Sequence, residues 1–322
     1  MWSYLIVPFA WIMQQCMAFL NNYALALIAY AIITKVIIFP ISMKQQKNQL
    51  NMVRMRPYQE ALAKKYGNNR EKYNMELQKL YQREGYNPMS SCLPLLIQLP
   101  LILLIYNIVR HPLTYVHFNE LFTANAAERV YQLAQKLTNL PEAVTKVMAK
   151  IADGGAVTAI SDYELQIYSA ASQSGQIEIP GDSIFGLFSL SGTPSQDFWS
   201  WMLLIPILAG VTGFTTSWFS QKLNSMTQDP AAAGNTKMMT YLMPLISVWF
   251  CYTLNCALGW YWIITNVLSI AQTYILHKMY NPNKVLAEVE AKIQKEKDQK
   301  KEKRSAAAAK KAAAIAASKK KK

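Results

Sequence analysis

The sequence predicts an all-α membrane protein whose core is a bundle of five membrane-spanning helices. Of its 322 residues, 52% are hydrophobic and only 16% are charged. The hydrophobic residues gather in runs of about 20, which is the length that a helix needs to cross a bilayer. The charged residues lie between these runs, in strongly basic segments and one acidic segment. Apolar runs separated by segments of opposite charge are typical of a multi-pass protein.

These runs divide the chain into nine predicted segments. In order they are an N-terminal helix (1–22), a first span (23–43), a cytoplasmic helical hairpin (44–86), a second span (87–109), an extracytoplasmic loop with a helical insert (110–198), a third span (199–219), a cytoplasmic loop (220–237), the fourth and fifth spans (238–277) and a basic cytoplasmic tail (278–322).

The orientation follows from the charge of the segments. Lys44–Glu84 holds ten Lys or Arg and four Glu, whereas Arg110–Ser200 holds five Lys or Arg and nine Asp or Glu. The tail from Lys278 onward holds fifteen Lys or Arg and five acidic residues. Because basic segments stay on the cytoplasmic side, the hairpin and the tail are predicted inside and the acidic region outside.

The N-terminal run, Tyr4 to Leu20, is apolar but contains Pro8 and the pair Gln14–Gln15. The residues allow two interpretations, an interfacial helix or a short additional span. The predicted topology from residue 23 onward is the same in both.

Lys35 is the only charged residue in the first span. A cation at the centre of a spanning helix costs about 2.5–3.5 kcal/mol on insertion scales. Lys44 marks the predicted inner boundary, roughly 13 Å further along a helix, which is a long reach for one side chain. Lys35 therefore either snorkels in a thinned bilayer or, together with its neighbour Thr34, lines a water-filled cavity between helices.

The basic segment 44–86 is predicted to be a hairpin of two antiparallel helices. Tyr73, Leu77, Leu80 and Tyr81 recur at helical spacing and would form one apolar face. Pro57 permits a kink or a new helix start in the first of the two helices. A turn is predicted around Gly67.

The later spans carry polar residues at positions that face neighbouring helices or a cavity. Gln98 lies between Pro94 and Pro100 and either bonds another helix or has a functional role. The small and hydroxyl residues of the third span permit close helix packing and equally suit a polar lining. In the fifth span the aromatic run Trp260–Trp262 fits an interfacial belt, whereas Asn266 and Gln272 lie deeper.

The acidic region holds no recognisable catalytic constellation. Ala126 to Ile151 is predicted helical with a restart at Pro141, and Ser161 is predicted to cap a short helix that follows. His111 and His117 lack a metal-ligand pattern, and the chain has no phosphate-binding loop. Its four cysteines form no disulfide framework, and Cys251 and Cys256 are predicted to be buried thiols.

Several motifs in this order resemble the YidC family of membrane protein insertases, which has mitochondrial and chloroplast relatives. The densest match follows the basic hairpin and enters the second span. It comprises Asn87, Pro88, Cys92, Pro94, Gln98, Pro100 and Tyr106. Further matches are Pro40 at the end of the first span, Gly210 and Thr212 in the third, Met243–Pro244 in the fourth, and Tyr261–Trp262 with Asn266 in the fifth.

The resemblance implies five core spans around a hydrophilic groove that is open to cytoplasm and lipid and closed outside. It also implies that the N-terminal helix is interfacial, and that Lys35 stands where the family usually has Arg. The predicted substrate groove consists of Thr34, Lys35, Gln98, Thr216, Ser217, Trp262 and Asn266. The insert of about residues 126–182 is longer than the resemblance implies.

The predicted function is insertion and folding of small or single-span membrane proteins in a bacterial plasma membrane, without covalent chemistry and without a cofactor. Expected partners are nascent membrane proteins, the ribosome through tail and hairpin, anionic lipids and the Sec translocon. Two alternatives stay open at this point. A small-molecule or ion transporter would predict an internal repeat and paired intramembrane charges. A passive ribosome-tethering protein would leave Lys35 unexplained.

Overall fold

The computed structural model describes residues 2–66, 68–84, 93–184, 186–196, 199–224 and 233–319. The motif residues Asn87, Pro88 and Cys92 therefore lie outside the described part. The α-helices are α1 (Trp2–Leu20), α2 (Tyr23–Tyr66), α3 (Arg70–Arg83), α4 (Leu93–Arg110), α5 (Thr123–Gln135), α6 (Glu142–Ala152), α7 (Glu164–Gln173), α8 (Leu204–Asn224), α9 (Ala233–Thr253), α10 (Cys256–Met279) and α11 (Pro282–Lys319).

Helix α2 joins the predicted first span and the first half of the predicted hairpin into one element of 44 residues. Pro40 and Pro57 lie inside it, so neither the predicted span end at Pro40 nor the boundary at residue 43 is a helix boundary. A proline removes one backbone donor, and the turns on either side can stay helical when other contacts hold them. The polar half of α2 has such contacts, because it packs against α3.

Helix α3 returns along the polar half of α2 and covers it with a small apolar cluster. Asn69 caps α3 through its side chain, which accepts a hydrogen bond from the Lys72 N–H. The cluster consists of Met52, Met55, Leu77, Leu80 and Tyr81. Inside it, Gln59 Nε2 donates to the Tyr81 hydroxyl at 3.2 Å.

The remaining long helices form a bundle in which α2, α8 and α10 run in one direction. Contacts between these helices are consistent with this direction. Lys35 of α2 bonds Ser269 of α10, and further along α2 Gln46 bonds Asn224 near the end of α8. Helix α9 runs the opposite way, with Val248 against Gly210 and Pro244 against Gly213 of α8. Close approach of α8 and α10 depends on Gly259, where an added Cβ would lie 2.2 Å from Ile205 Cγ2.

The acidic region folds onto the end of this bundle at which α2 and α10 begin and shares its hydrophobic core. After α4 come a π-helical turn (Leu113–His117), α5, α6, a 3₁₀ segment (Val157–Tyr163) and α7. Ser161 lies inside the 3₁₀ segment and does not cap α7, which is preceded by Tyr163. Two short antiparallel strands follow, β1 (Ser183–Ile184) and β2 (Phe188–Ser189), with Ser183 opposite Ser189.

Two helical stretches among the described residues are long and apolar enough to cross a membrane, Tyr23–Tyr66 and Trp201–Asn224. Three shorter apolar helices accompany them, Leu5–Leu20, Leu99–Arg110 and Tyr241–Thr253. The described part is almost wholly α-helical, as the predicted fold class requires. Cys251 and Cys256 are buried free thiols, as the sequence predicts.

Candidate functional site: a polar cavity between four helices

A polar cavity of about 240 Å³ lies between α2, α4, α8 and α10. Most of its lining residues carry a hydroxyl or amide group, and Lys35 is the one charged residue among the described residues that line it. The lining residues are Thr34, Lys35, Ile38, Ser42, Gln45, Gln46, Gln49, Leu101, Ser220, Asn224, Tyr261, Thr265, Ser269, Gln272, Thr273 and Leu276.

Two helices supply most of this lining because each carries a polar stripe at helical spacing. On α10, Thr265, Ser269 and Gln272 follow one another at intervals of four and three residues, which places them on one face. On α2 a similar stripe runs from Thr34 to Gln49, or roughly 22 Å along the helix axis. The cavity thus extends from the middle of the apolar part of α2 into its polar part.

Lys35 points into this cavity and is held there by a hydroxyl group. Its Nζ donates to Ser269 Oγ at 2.7 Å, and Ser269 Oγ in turn donates to the Thr265 carbonyl at 2.6 Å. Among the described residues, no carboxylate lies within ion-pair distance of Lys35. The Lys35 side chain therefore faces the cavity and does not snorkel along the helix to the membrane surface. No described side chain neutralises its positive charge.

An amide bridge crosses the end of the cavity that lies toward the polar half of α2. Gln46 Nε2 of α2 donates to Asn224 Oδ1 of α8 at 3.2 Å, and Asn224 Nδ2 donates to Ser220 Oγ at 3.4 Å. Gln45 and Gln49 line the same end. Sequence reasoning missed these residues because it assigned residues 44–86 to a separate hairpin and residues 220–237 to a cytoplasmic loop. The polar stripe at helical spacing, which continues across residue 43, was the signal that could have found them.

The opposite end of the cavity, toward the start of α2, is closed by tightly packed side chains. Thr34 is only 1% exposed, and its hydroxyl donates back to the Tyr30 carbonyl at 2.9 Å. Tyr261 forms part of the wall, and its ring lies 6.0 Å from the fully buried ring of Tyr30. Toward the start of α2 the next core residues, Ala26 and Leu27, are likewise buried.

Four of the predicted groove residues lie outside this lining. Asn266 Nδ2 donates to Thr212 Oγ1 at 3.2 Å, and Thr216 Oγ1 donates to the Asn266 carbonyl at 3.1 Å. These bonds satisfy both side chains within the α8–α10 contact, which is a common use of polar residues between membrane helices. Trp262 packs against the hydrophobic core, and Ser217 is also absent from the cavity wall.

Gln98, the remaining predicted groove residue, belongs to the backbone of α4, but its side chain lies outside the described part. The cavity therefore contains Thr34 and Lys35 of the predicted set, joined by residues that the sequence analysis did not select. Among the described residues, no group of His, Cys, Asp or Glu could hold a metal ion.

Outside the bundle, one buried carboxylate stands out electrostatically. Glu164 at the start of α7 is 0% exposed and accepts hydrogen bonds from the backbone N–H and the hydroxyl of Thr114, the latter at 2.7 Å. Burial raises the pKa of Glu164 to about 7, against the opposing effect of these hydrogen bonds. This contact fastens the insert to the turn that follows α4.

The polar cavity and the order of the helices can be compared with known proteins. A sequence model of the family described as "60Kd inner membrane protein" matches residues 15–284, a range that includes α2 to α10 and every cavity residue. The chain belongs to this family. The match ends at the start of α11, so the basic tail is not part of it.

Several relatives are named membrane protein insertase YidC, YidC 1 or YidC 2. The present chain is 26% identical over 276 residues to the YidC protein of Chlorobium limicola. The match covers 85% of this chain and 36% of that relative. The chain is 26% identical over 296 residues to YidC 2 of Listeria innocua, covering 90% of this chain and 76% of the relative. For YidC 1 of Halalkalibacterium halodurans the identity is 25% over 279 residues, with 85% and 77% covered.

These coverages differ because the relatives differ in length. The chain spans just over a third of the Chlorobium protein and a similar share, 39%, of the relative from Amoebophilus asiaticus. Family membership establishes that the chain is a bacterial membrane protein related to the 60Kd inner membrane protein. This family is not a classical enzyme family.

Proposed function

We propose that the chain is a membrane protein insertase and that the cavity around Lys35 receives the polar segment of its substrate. The observation that carries the proposal is a cation that faces a polar cavity without a described acidic partner, within the apolar half of α2. Relatives named as insertases support the same function. The substrates are small or single-span membrane proteins.

The finer topology is part of this proposal. Helices α2, α4, α8, α9 and α10 would each cross the membrane, with α1 lying in the outer interface. The polar half of α2 with α3, and the tail helix α11, would be cytoplasmic because both are strongly basic. The cavity then opens toward the cytoplasm at Gln46 and Asn224 and is closed outside by the packing around Tyr30.

In the proposed mechanism the cavity lowers the cost of moving polar groups into the membrane. A polar or acidic segment enters the cavity, where amides and hydroxyls replace part of its hydration and Lys35 attracts negative charge. The apolar segment leaves sideways into lipid, and its burial is worth about 25 cal/mol per Å². Membrane potential adds roughly 2.3 kcal/mol per charge per 100 mV for acidic residues that cross.

The proposed partners follow from charge. The tail and the hairpin would recruit ribosomes and anionic lipids, since phosphate contacts give sequence-independent, salt-sensitive binding. The Sec translocon is proposed as a further partner for larger substrates. The transporter alternative has less support, because within the described residues Lys35 has no paired intramembrane charge.

Photocrosslinking to a ribosome-stalled single-span protein in vesicles tests the proposal. Probes replace Ser42 and Gln272, which line the cavity from α2 and α10, and a control probe replaces Val267, which is 53% exposed on another face of α10. We expect the cavity probes to capture the segment that flanks the apolar stretch of the nascent chain. Crosslinks from the tail alone, with none from the cavity, would contradict the insertase and favour the ribosome tether.

A further inference from the structure

One segment of the acidic region, at the end of the insert and just after it, caps the first turns of two cavity helices, α2 and α10. This capping segment comprises residues 180–184 and 186–192. The Tyr23 and Ala24 N–H groups of α2 donate to the carbonyls of Pro180 and Gly181 at 2.7 and 3.2 Å. The Cys256 and Ala257 N–H groups of α10 donate to the carbonyls of Gly192 and Leu190 at 2.8 and 2.7 Å. These are first-turn N–H groups, which have no partner inside their own helix.

The capping segment has internal bonds that fix its shape. Asp182 is 7% exposed and accepts hydrogen bonds from the hydroxyls of Ser189 and Ser191, the latter at 2.9 Å. The Leu190 N–H donates to the Asp182 carbonyl at 2.7 Å. Strands β1 and β2 join the two halves of the segment. The carbonyls that bond to α2 are therefore held at a fixed distance from the carbonyls that bond to α10.

This separation bears directly on the cavity. Lys35 lies eleven residues after Ala24, and Ser269 lies twelve residues after Ala257. Both helices rise by about 1.5 Å per residue, so the two side chains sit at nearly equal depths, roughly 17 Å below the segment. A relative slide of α2 and α10 by one or two residues would separate Lys35 Nζ from Ser269 Oγ.

We propose that the capping segment is a positioning device for the cavity, which sets the axial register of α2 against α10 and so holds Lys35 at Ser269. The cavity's role in insertion rests on the proposed function, but the register does not. The competing explanation is that the helices set their own register, through the Tyr30–Tyr261 contact and the Trp260 indole N–H that donates to the Ala24 carbonyl at 3.3 Å.

Gly181 allows the two explanations to be separated. Its φ of +72° lies in the left-handed region, and an added Cβ would be 2.2 Å from Cγ and Nδ2 of Asn22, which precedes α2. Gly175 in the same insert has a φ of +68° with nothing within 4 Å of an added Cβ. Alanine carries a similar backbone strain at both positions, and only at Gly181 does it also push against the start of α2.

The experiment measures the distance between spin labels at positions 42 and 273, which line the cavity on α2 and α10, in a background with alanine at the native cysteines. For Gly181→Ala we expect the most populated distance to shift by at least one helical rise, about 1.5 Å, or the distribution to broaden. Gly175→Ala should match the parent. Adding Asn22→Ala to Gly181→Ala removes the clashing amide and should restore the parent distance.

An unchanged distance in Gly181→Ala would overturn the proposal and leave register to side-chain packing. If Gly181→Ala does not fold, Ser191→Ala provides the same test, because it removes one of the hydroxyl donors that hold Asp182 and should broaden the distribution. The distance does not depend on insertion. A protein that inserts nothing would therefore count against the proposed function while the register result still stood.

Discussion

Lys35 shows how one residue can convert an apolar helix into the wall of a polar site. An ammonium group is compact and rotates freely, so a single hydroxyl, Ser269 Oγ, can orient it. The amine keeps further donors for water or for substrate. A cation without an acidic partner in the described residues attracts negative charge without being neutralised in advance.

The first prediction concerns this charge. Lys35→Met should lower insertion of a substrate with an acidic translocated segment about three- to tenfold, equivalent to roughly 0.6–1.4 kcal/mol of barrier. A substrate with a neutral segment should be affected less, and Lys35→Arg should retain most activity because it keeps the charge. Insertion is measured by protease protection in proteoliposomes. Lys44→Met, which removes an exposed charge from the same helix, is the control, and equal losses on both substrates would contradict the role of charge.

Glu164 is the residue whose ionisation should affect stability near neutral pH. Its pKa is about 7 in the folded protein because it is buried, compared with an ordinary value of 4.5. The folded state therefore binds the proton more tightly than the unfolded state. The stability associated with this group is fully present below pH 4.5 and is lost as pH rises through about 7.

The second prediction follows from this sign. The Tm of the protein in detergent should fall between pH 5 and pH 8, and Glu164→Gln should remove part of that fall, since a shift of this size corresponds to roughly 3 kcal/mol. The glutamine can still accept the Thr114 N–H and donate to its hydroxyl. Thermal unfolding at the two pH values checks this, with the exposed Asp153→Asn as control. Comparing the variant with the parent cancels the pH dependence that other groups contribute to Tm. One such group is His111, whose pKa is lowered by burial.

At the scale of elements, α2 and α11 each combine two environments in one helix. Helix α2 carries the cavity stripe from Thr34 to Gln49 and contacts α3 further along, from Met52 onward. Helix α11 packs against α2 with its first turns, where Val285, Leu286, Val289 and Ile293 are half-buried. From Gln294 to Ala307 every side chain is exposed. The basic part of the tail thus projects from a base that packs against α2.

The third prediction separates the two parts of α11. Deleting 297–322 should leave insertion of short substrates largely intact while weakening binding to ribosomes and anionic vesicles, most of all at low salt, where phosphate contacts are strongest. Deleting 284–322 should in addition lower Tm, because it uncovers α2. Replacing Lys297, Lys300, Lys301 and Lys303 with Gln is the matched control that keeps the helix. Complete loss of insertion in a ribosome-coupled assay after the shorter deletion would favour the tether.

At the scale of the whole molecule, the insert and the bundle act as one body. Their buried residues belong to a single hydrophobic core, which runs from Tyr30 in α2 to Ile167 in α7. The cavity is closed at the end where the insert packs and is bridged by amides at the other. Under the proposed function, this difference between the two ends of the cavity would favour insertion in one direction.

Residue patterns alone predicted a predominantly helical chain, because apolar runs and helical spacing depend on local sequence. Patterns also identified Lys35 and Thr34 as candidates, since a charge within an apolar run is costly wherever the chain folds. Patterns do not determine which way the polar residues of the later spans point. Thr216 and Asn266 bond each other's helices, whereas Ser269 faces Lys35. All three are polar residues within apolar helices, so composition does not distinguish them.

The sequence by itself determined an all-α membrane protein, its family and the cation at its centre. Only the tertiary structure decided that α2 continues through Pro40 and Pro57, that glutamines beyond residue 43 join the cavity, and that the insert holds α2 and α10 by their first turns. The physical reason is that periodicity fixes which face of a helix is polar, whereas rotation and register between helices depend on contacts far apart in the chain. The Lys35–Ser269 bond spans 234 residues and is such a contact.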